Sequence, residues 1–167
     1  MTQRLTLPLL ALLMSLALTA CGFKLRGLYD VPEALRQVHL VTESTPSQIE
    51  PELRSALEVN QIRLTESGRY QLDILSERHT RRTATLTGNA DAAEYELRSE
   101  IRFQVLDRQR DNAVVMPARS VMNERVYRNE RDNITASGSQ ETLIRQQMLQ
   151  DLAQQIVRQY LRINTAQ

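Results

Sequence analysis

The chain is poor in the residues that most site chemistry needs. It has one cysteine, two histidines, one lysine and no tryptophan. A lone cysteine excludes an internal disulfide, and His39 and His79 lie far apart on different predicted strands, so no set of ligands has the spacing of a metal site. Aromatic residues make up only 4% of the chain, too few for the stacking platform that single-stranded nucleic acid requires. An excess of one charge is also missing. With 21 basic against 20 acidic side chains the formal charge is +1, and no overall field draws in a polyanion. Among the many acidic residues, no pair is identifiable as an acid and a base at a cleft. These shortages point away from an enzyme, a metal protein and a nucleic-acid binder.

One long apolar run is present, and it stands at the start. Arg4 supplies a positive charge, Leu5 to Leu18 form an almost unbroken apolar stretch, and Thr19 and Ala20 are small, which is the build of an export signal. The run is short for a bilayer span and is broken by Pro8. The residue that follows is the only cysteine, Cys21. Leu18-Thr19-Ala20-Cys21 resembles the bacterial lipobox, in which the cysteine sulfur receives a diacylglyceryl group, the signal is cut just before it, and the new amino terminus is acylated. The plainer alternative is an ordinary signal peptide beside an incidental free thiol. Each buried methylene contributes about 0.8 kcal/mol, and one acyl chain holds only marginally whereas two or more anchor stably. Gly22 stands where an acidic residue would favour retention at the inner membrane, so the expected address is the outer membrane, with the body on the periplasmic side. The covalent lipid on Cys21 is the one non-protein group expected, with no cofactor and no metal. Removal of the signal takes Arg4 with it and brings the formal charge to zero.

The remainder reads as one domain, because its length suits one and is short for two. Val38 to Val41 predicts a short strand. A helix follows from about Ser47 to Asn60, with Ile49, Leu53, Ala56 and Leu57 on one face, and Pro51 is compatible only with its start. Ser67-Gly68 marks a turn. Three long alternating segments come next. In the first, Tyr70, Leu72 and Ile74 share a side to whose parity Ala84 and Leu86 return. In the second, Tyr95, Leu97, Ile101, Phe103 and Val105 alternate with Glu94, Glu96, Arg98, Glu100, Arg102 and Gln104. In the third, Ala113 to Tyr127, the residues Val114, Met116, Ala118 and Met122 share a face, and Pro117 predicts an edge or a bulge. Period-two patterning of this kind gives a sheet with one buried and one polar face. Ser137 with Gln140 three later reads as a capping box. It opens a helix to about Ile163 whose stripe is Ile144, Met148, Leu149, Leu152, Ile156, Val157, Tyr160 and Leu161. The predicted fold is α+β, a two-layer sandwich with two helices packed on one face of a four-stranded, mainly antiparallel sheet. Residues 1–20 are the signal peptide, 21–37 a lipidated tether, 38–163 the domain and 164–167 a tail.

Cys21-Gly22-Phe23-Lys24-Leu25-Arg26-Gly27, with Val31-Pro32 shortly after, resembles the start of the lipopolysaccharide-assembly lipoproteins of Gram-negative bacteria, the LptE family. Ala93-Glu94-Tyr95 resembles a run found in that family at the start of the second long strand, and the order strand, helix, three strands, helix is similar over essentially the whole mature chain. The resemblance implies a non-enzymatic outer-membrane lipoprotein. It further implies that such a protein plugs and helps assemble the outer-membrane β-barrel LptD, one to one, and binds lipopolysaccharide during delivery to the outer leaflet. A polar sheet face suits a polar barrel wall.

An antiparallel meander brings the end of its first strand, the tip near Gly88 and the end of its third strand together, gathering Arg78, Arg81, Arg82, Arg125, Arg128 and Arg131 at one end. Of these, Arg81, Arg82, Arg128 and Arg131 are the candidate lipopolysaccharide contacts, because guanidinium forks fit phosphate oxygens. Asp91, Glu94, Glu130 and Asp132 lie close by, so a salt-bridged, solvated surface competes with that reading. Family members can carry basic residues at the hairpin tip and at the start of the last helix, where this chain has Thr87-Gly88-Asn89 and Ser137-Gly138. The alternative function is a free, periplasm-facing lipid-binding or envelope-maintenance lipoprotein without a barrel partner.

Overall fold

From Tyr95 to Val105 every second side chain is apolar or small, and the strand that contains this run is the one around which the sheet is built. The computed structural model describes residues 31–43, 46–86, 88, 92–128 and 134–163. Within them, β1 (Gln37–Thr42), β2 (Arg63–Leu64), β3 (Tyr70–Leu86), β4 (Ala92–Asp107) and β5 (Ala113–Arg128) form a single sheet in the order β2-β1-β3-β4-β5. β3, β4 and β5 make the antiparallel meander, while β1 runs parallel to both of its neighbours. Two helices, α1 (Glu50–Val59) and α2 (Ile134–Tyr160), contribute to one core with the same sheet face.

The α+β class holds, but the sheet has five strands rather than four and is mixed rather than mainly antiparallel. The additional strand is two residues long, too short to show a period, with Arg63 beside Gln37 and Leu64 beside Val38. Its parallel direction follows from α1, which carries the chain from the end of β1 back to its beginning. From β2 the chain then passes to the other side of β1 over residues 65–69. Gly68 lies directly on the β1 backbone, where an added β-carbon would stand 2.8 Å from the Val38 carbonyl carbon and 2.9 Å from the His39 nitrogen. Only glycine fits so close an approach.

Register slips in the meander change which residues face the helices. The register of β3 slips between Ile74 and Ser76, so Tyr70, Leu72 and Ile74 face the core and, past Leu75, the residues opposite Ile101, Ser99, Leu97 and Tyr95 are Glu77, His79, Arg81 and Thr83. Two further slips fall between Thr83 and Leu86, and Ala84 and Leu86 do not return to the apolar side: both are exposed, Leu86 to 62%. In β5 one slip falls around Pro117, since Arg119 opposes Phe103 whereas Met116 opposes Val105, and a second falls at Val115, since Val114 opposes Leu106. Met116, Val121 and Tyr127 are consequently buried, while Val114 and Met122 are exposed. Pro117 thus marks both a bulge and an edge strand, as its missing N–H allows.

The helix ends have identifiable causes. α1 begins at Glu50, three residues after the expected start, with Pro51 in its first turn. The Ser47 hydroxyl accepts the Glu50 N–H at 3.1 Å. The Glu77 carboxylate accepts the N–H groups of Gln48 and Ile49 at 3.0 and 3.2 Å and the Ser47 hydroxyl proton. A carboxylate is favoured there by the positive end of the helix. α2 begins at Ile134, so Ser137 lies inside the helix instead of capping it. The Ser-Gly-Ser triplet looks like a break, but the long apolar stripe behind it propagates the helix through it.

The folded unit starts at Val31. Val31 and Leu35 are buried, and the Tyr160 hydroxyl donates to the Leu35 carbonyl at 3.2 Å. Residues 31–37 accordingly belong to the body rather than to the tether, held there by a short 3-10 turn, Glu33–Leu35, that carries no periodic signal. The signal segment, Cys21, residues 22–30 and the tail 164–167 lie outside the described residues. The main core joins both helices to the sheet, and a satellite cluster of Leu97, Tyr127 and Met148, with Tyr95 and Ile144 against it, supports the distal half of the meander.

Candidate functional site

Adjacent residues on a strand point to opposite faces, and this rule divides the arginine-rich end. Arg81 lies on the helix-facing side of β3. Its guanidinium carbon sits 3.9 Å from the centroid of the Tyr95 ring, and Nη1 donates to Glu141 Oε2 at 3.1 Å. Glu141, on the second turn of α2, also accepts the Tyr127 hydroxyl at 2.5 Å and Arg145 through Nε and Nη2 at 2.9 and 2.7 Å. Burial opposes its ionisation, but the hydrogen bonds of Tyr127 and Arg145 and the charges of Arg145 and Arg81 hold its carboxyl below the usual carboxylate range. Burial and the same carboxylate push the Tyr127 phenol up to about 12.

Arg82 lies on the uncovered face. It donates to Glu96 through Nε at 2.6 Å and Nη2 at 2.9 Å, a forked pair that holds the Glu96 carboxyl below its ordinary value. Arg98 reaches Glu124 at 3.2 Å and Glu100 at 3.5 Å. Arg125 meets Asp151 of α2 at 3.1 Å. Arg128 is exposed across from Glu94 in the register, and Arg131 falls outside the described residues. Of the four candidate contacts, then, Arg81, Arg82 and Arg128 share an end of the sheet but not a face, and two of the three already have carboxylate partners. Arg82 and Arg128 lie on the uncovered face and Arg81 on the helix-facing one. The pairing with Glu141 was hidden from sequence reading because 60 positions separate it from Arg81.

His39 and His79 also have plain positions. His39 lies on β1 beside Gln71. His79 Nδ1 is 3.0 Å from Ser99 Oγ, and Nε2 is 3.5 Å from Glu77 Oε2. With Ser99 only 1% exposed, this chain supports the carboxylate that holds the start of α1 and offers no hydroxyl to a substrate. Among the described residues no group of three or more His, Cys, Asp or Glu side chains is placed to hold a metal ion, and no helix is long and apolar enough to cross a membrane.

A five-stranded mixed sheet with two helices on one face and paired charges on the other defines an α+β module known from bacterial lipoproteins. A minor lipoprotein of Acinetobacter baumannii matches it with a TM-score of 0.65 and 26% identity, over 78% of this chain and 93% of that one. A lipoprotein B of Nitrosomonas europaea shares the fold at a TM-score of 0.72 and 21% identity, over 87% and 94%. The LPS-assembly lipoprotein LptE of Pectobacterium atrosepticum is 29% identical over 156 residues, 88% of this chain and 80% of the relative. That of Photorhabdus laumondii is 26% identical over 95% of this chain and 88% of the relative. The LptE family profile, described as lipopolysaccharide-assembly, matches residues 35–160. The chain belongs to the LptE family of lipopolysaccharide-assembly lipoproteins, and that membership assigns it an assembly role in the bacterial envelope.

Proposed function

We propose that this protein is the lipid-anchored partner of the outer-membrane barrel LptD. In this reading Cys21 carries the N-acyl and S-diacylglyceryl groups. The folded unit lies on the periplasmic side of the outer membrane, occupies the barrel lumen one to one as plug and assembly aid, and binds lipopolysaccharide in passage. The observation that carries the reading is the family match across residues 35–160. It is supported by the uncovered face of the meander, where Arg82 with Glu96 and Arg98 with Glu124 make a lattice of opposite charge suited to the polar interior of a large barrel. Affinity purification from detergent-solubilised outer membrane should recover a large barrel protein in about equal amount. Recovery of the monomer alone after gentle extraction would overturn the plug and leave a free periplasm-facing lipoprotein. Metabolic palmitate labelling should mark the wild type and not Cys21→Ser. Label retained by that variant would remove Cys21 as the lipidation site.

A further inference from the structure

A cleft of about 380 Å³ opens where the start of β5 meets the C-terminal end of α2. Val115, Met116 and Ile163 give it an apolar floor, and Arg119, Arg162 and Gln159 stand around it. Met116 is buried at 5% exposure, whereas both arginines are exposed. Among the described residues neither guanidinium has a hydrogen-bond or ion-pair partner. That sets them apart from Arg81, Arg82, Arg98, Arg125 and Arg145, each of which is engaged by a carboxylate. It also sets the cleft apart from three others, whose walls include Glu66, the pair Glu52 and Asp151, and Glu58.

The negative end of a helix would ordinarily repel an anion. Here the carbonyls of Val157, Gln159 and Tyr160 are taken by the N–H groups of Leu161, Arg162 and Ile163 at 3.0, 3.1 and 3.1 Å, and Arg158 and Arg162 add positive charge. Two unpaired guanidinium groups over an apolar floor match an anion that carries hydrocarbon. A free hydrated phosphate would satisfy the arginines but gain nothing from Val115, Met116 and Ile163. A phosphorylated lipid satisfies both, because forked contacts hold the phosphate oxygens while the first methylenes cover the floor. The hydrogen bond between Tyr160 and Leu35 places this end of α2 beside the first residues of the folded unit.

We propose that this cleft, and not the arginine-rich hairpin end, holds a phosphate-bearing glycolipid headgroup, with Arg119 and Arg162 on the phosphate and Val115, Met116 and Ile163 against the adjoining hydrocarbon. The assignment rests on the reading that the chain handles lipopolysaccharide. Its test is a titration of the full lipidated protein in detergent with fluorescent lipopolysaccharide and with the same material after removal of the lipid A phosphates. Arg119→Gln with Arg162→Gln changes only exposed side chains, and an unchanged thermal melt confirms the fold. The double variant should bind intact lipopolysaccharide about tenfold more weakly or worse, the loss expected when charge-assisted contacts disappear. The dephosphorylated ligand should bind wild type and variant alike. A triple variant, Arg81→Gln with Arg82→Gln and Arg128→Gln, should keep wild-type affinity. If wild type binds and the double variant binds equally well, the cleft assignment alone fails. An equal loss for the dephosphorylated ligand overturns the phosphate clamp, and displacement of the lipid by inorganic phosphate at matched concentration makes the cleft a free-anion site instead. If wild type binds neither ligand, the lipopolysaccharide reading falls and the assignment falls with it.

Discussion

Because Glu141 accepts hydrogen bonds from Tyr127, Arg145 and Arg81, its charge decides how three elements meet at the distal end. Tyr127 reports on it. The phenol has a folded-state pKa of about 12, above the ordinary value near 10, so the folded form holds its proton more tightly than the unfolded form. The stability this contributes is fully present below about pH 10 and is lost as pH rises through about 12. Glu141 works in the opposite direction. Its folded carboxyl is held below the ordinary value, so its contribution is present above the usual carboxylate range and disappears as pH falls through the folded value. In an alkaline titration followed by phenolate absorbance, the wild-type signal minus that of Tyr127→Phe should rise late, near pH 12. Glu141→Gln should shift the Tyr127 transition towards pH 10, since both the accepting hydrogen bond and the negative charge raise it. A difference signal already complete near pH 10 would show that Tyr127 is not engaged as described.

At the scale of elements, two glycines make opposite predictions. Gly68 touches the Val38 and His39 backbone, which cannot rotate out of the way as a side-chain tip can. Gly68→Ala should therefore destabilise by about 1–3 kcal/mol, the usual cost of forcing a methyl into a filled space. Gly138 has nothing within 4 Å of an added β-carbon and lies inside α2, so Gly138→Ala should stabilise by about 0.5–1 kcal/mol through lower unfolded-state freedom. Urea midpoints for the two variants should move in opposite directions. A Gly68→Ala midpoint equal to wild type would contradict the close crossing of β1. The same contrast explains what was legible beforehand. β4 and α2 repeat their periods many times over, so their existence, and the side each presents, could be read from the residues. β2 has two residues and no period. The bulge at Leu75 adds an apolar residue next to apolar Ile74, and nothing in the letters says that the parity of Glu77, His79 and Arg81 is reversed beyond it. Arg81 and Arg82 were found as a charged end because a meander folds its tips together. Their division between faces depends on that bulge and on partners from α2. The Arg119 and Arg162 cleft was invisible for a related reason, since only the packing of α2 on β5 joins those two residues.

Across the folded unit as a whole, apolar support is unequal. The half of the sheet near Leu72, Phe103 and Val105 rests on both helices through the main core. The distal half rests on α2 alone, through Leu97, Tyr127 and Met148, and the network around Glu141. Small satellite clusters open at lower free energy than the core they flank, so the distal strands should exchange amide hydrogens before the proximal ones. Met148 has no exposure, and truncating a buried methionine to alanine costs about 2–5 kcal/mol where it packs. In Met148→Ala most of that cost should appear as easier local opening, because the main core does not include Met148. Native-state hydrogen exchange should show protection falling by roughly one to three orders of magnitude for the strand segments around Leu97 and Tyr127, with much smaller changes around Leu72, Phe103 and Ile156. Equal loss of protection in both halves would mean that the unit unfolds as one block. If the unit enters a polar lumen, as proposed, a separately opening distal end has a physical consequence. The part that opens most easily is covered by ion pairs such as Arg82 with Glu96, so opening it exposes only the few apolar side chains of the satellite cluster, while the tightly packed half keeps the helices and the phosphate cleft in place.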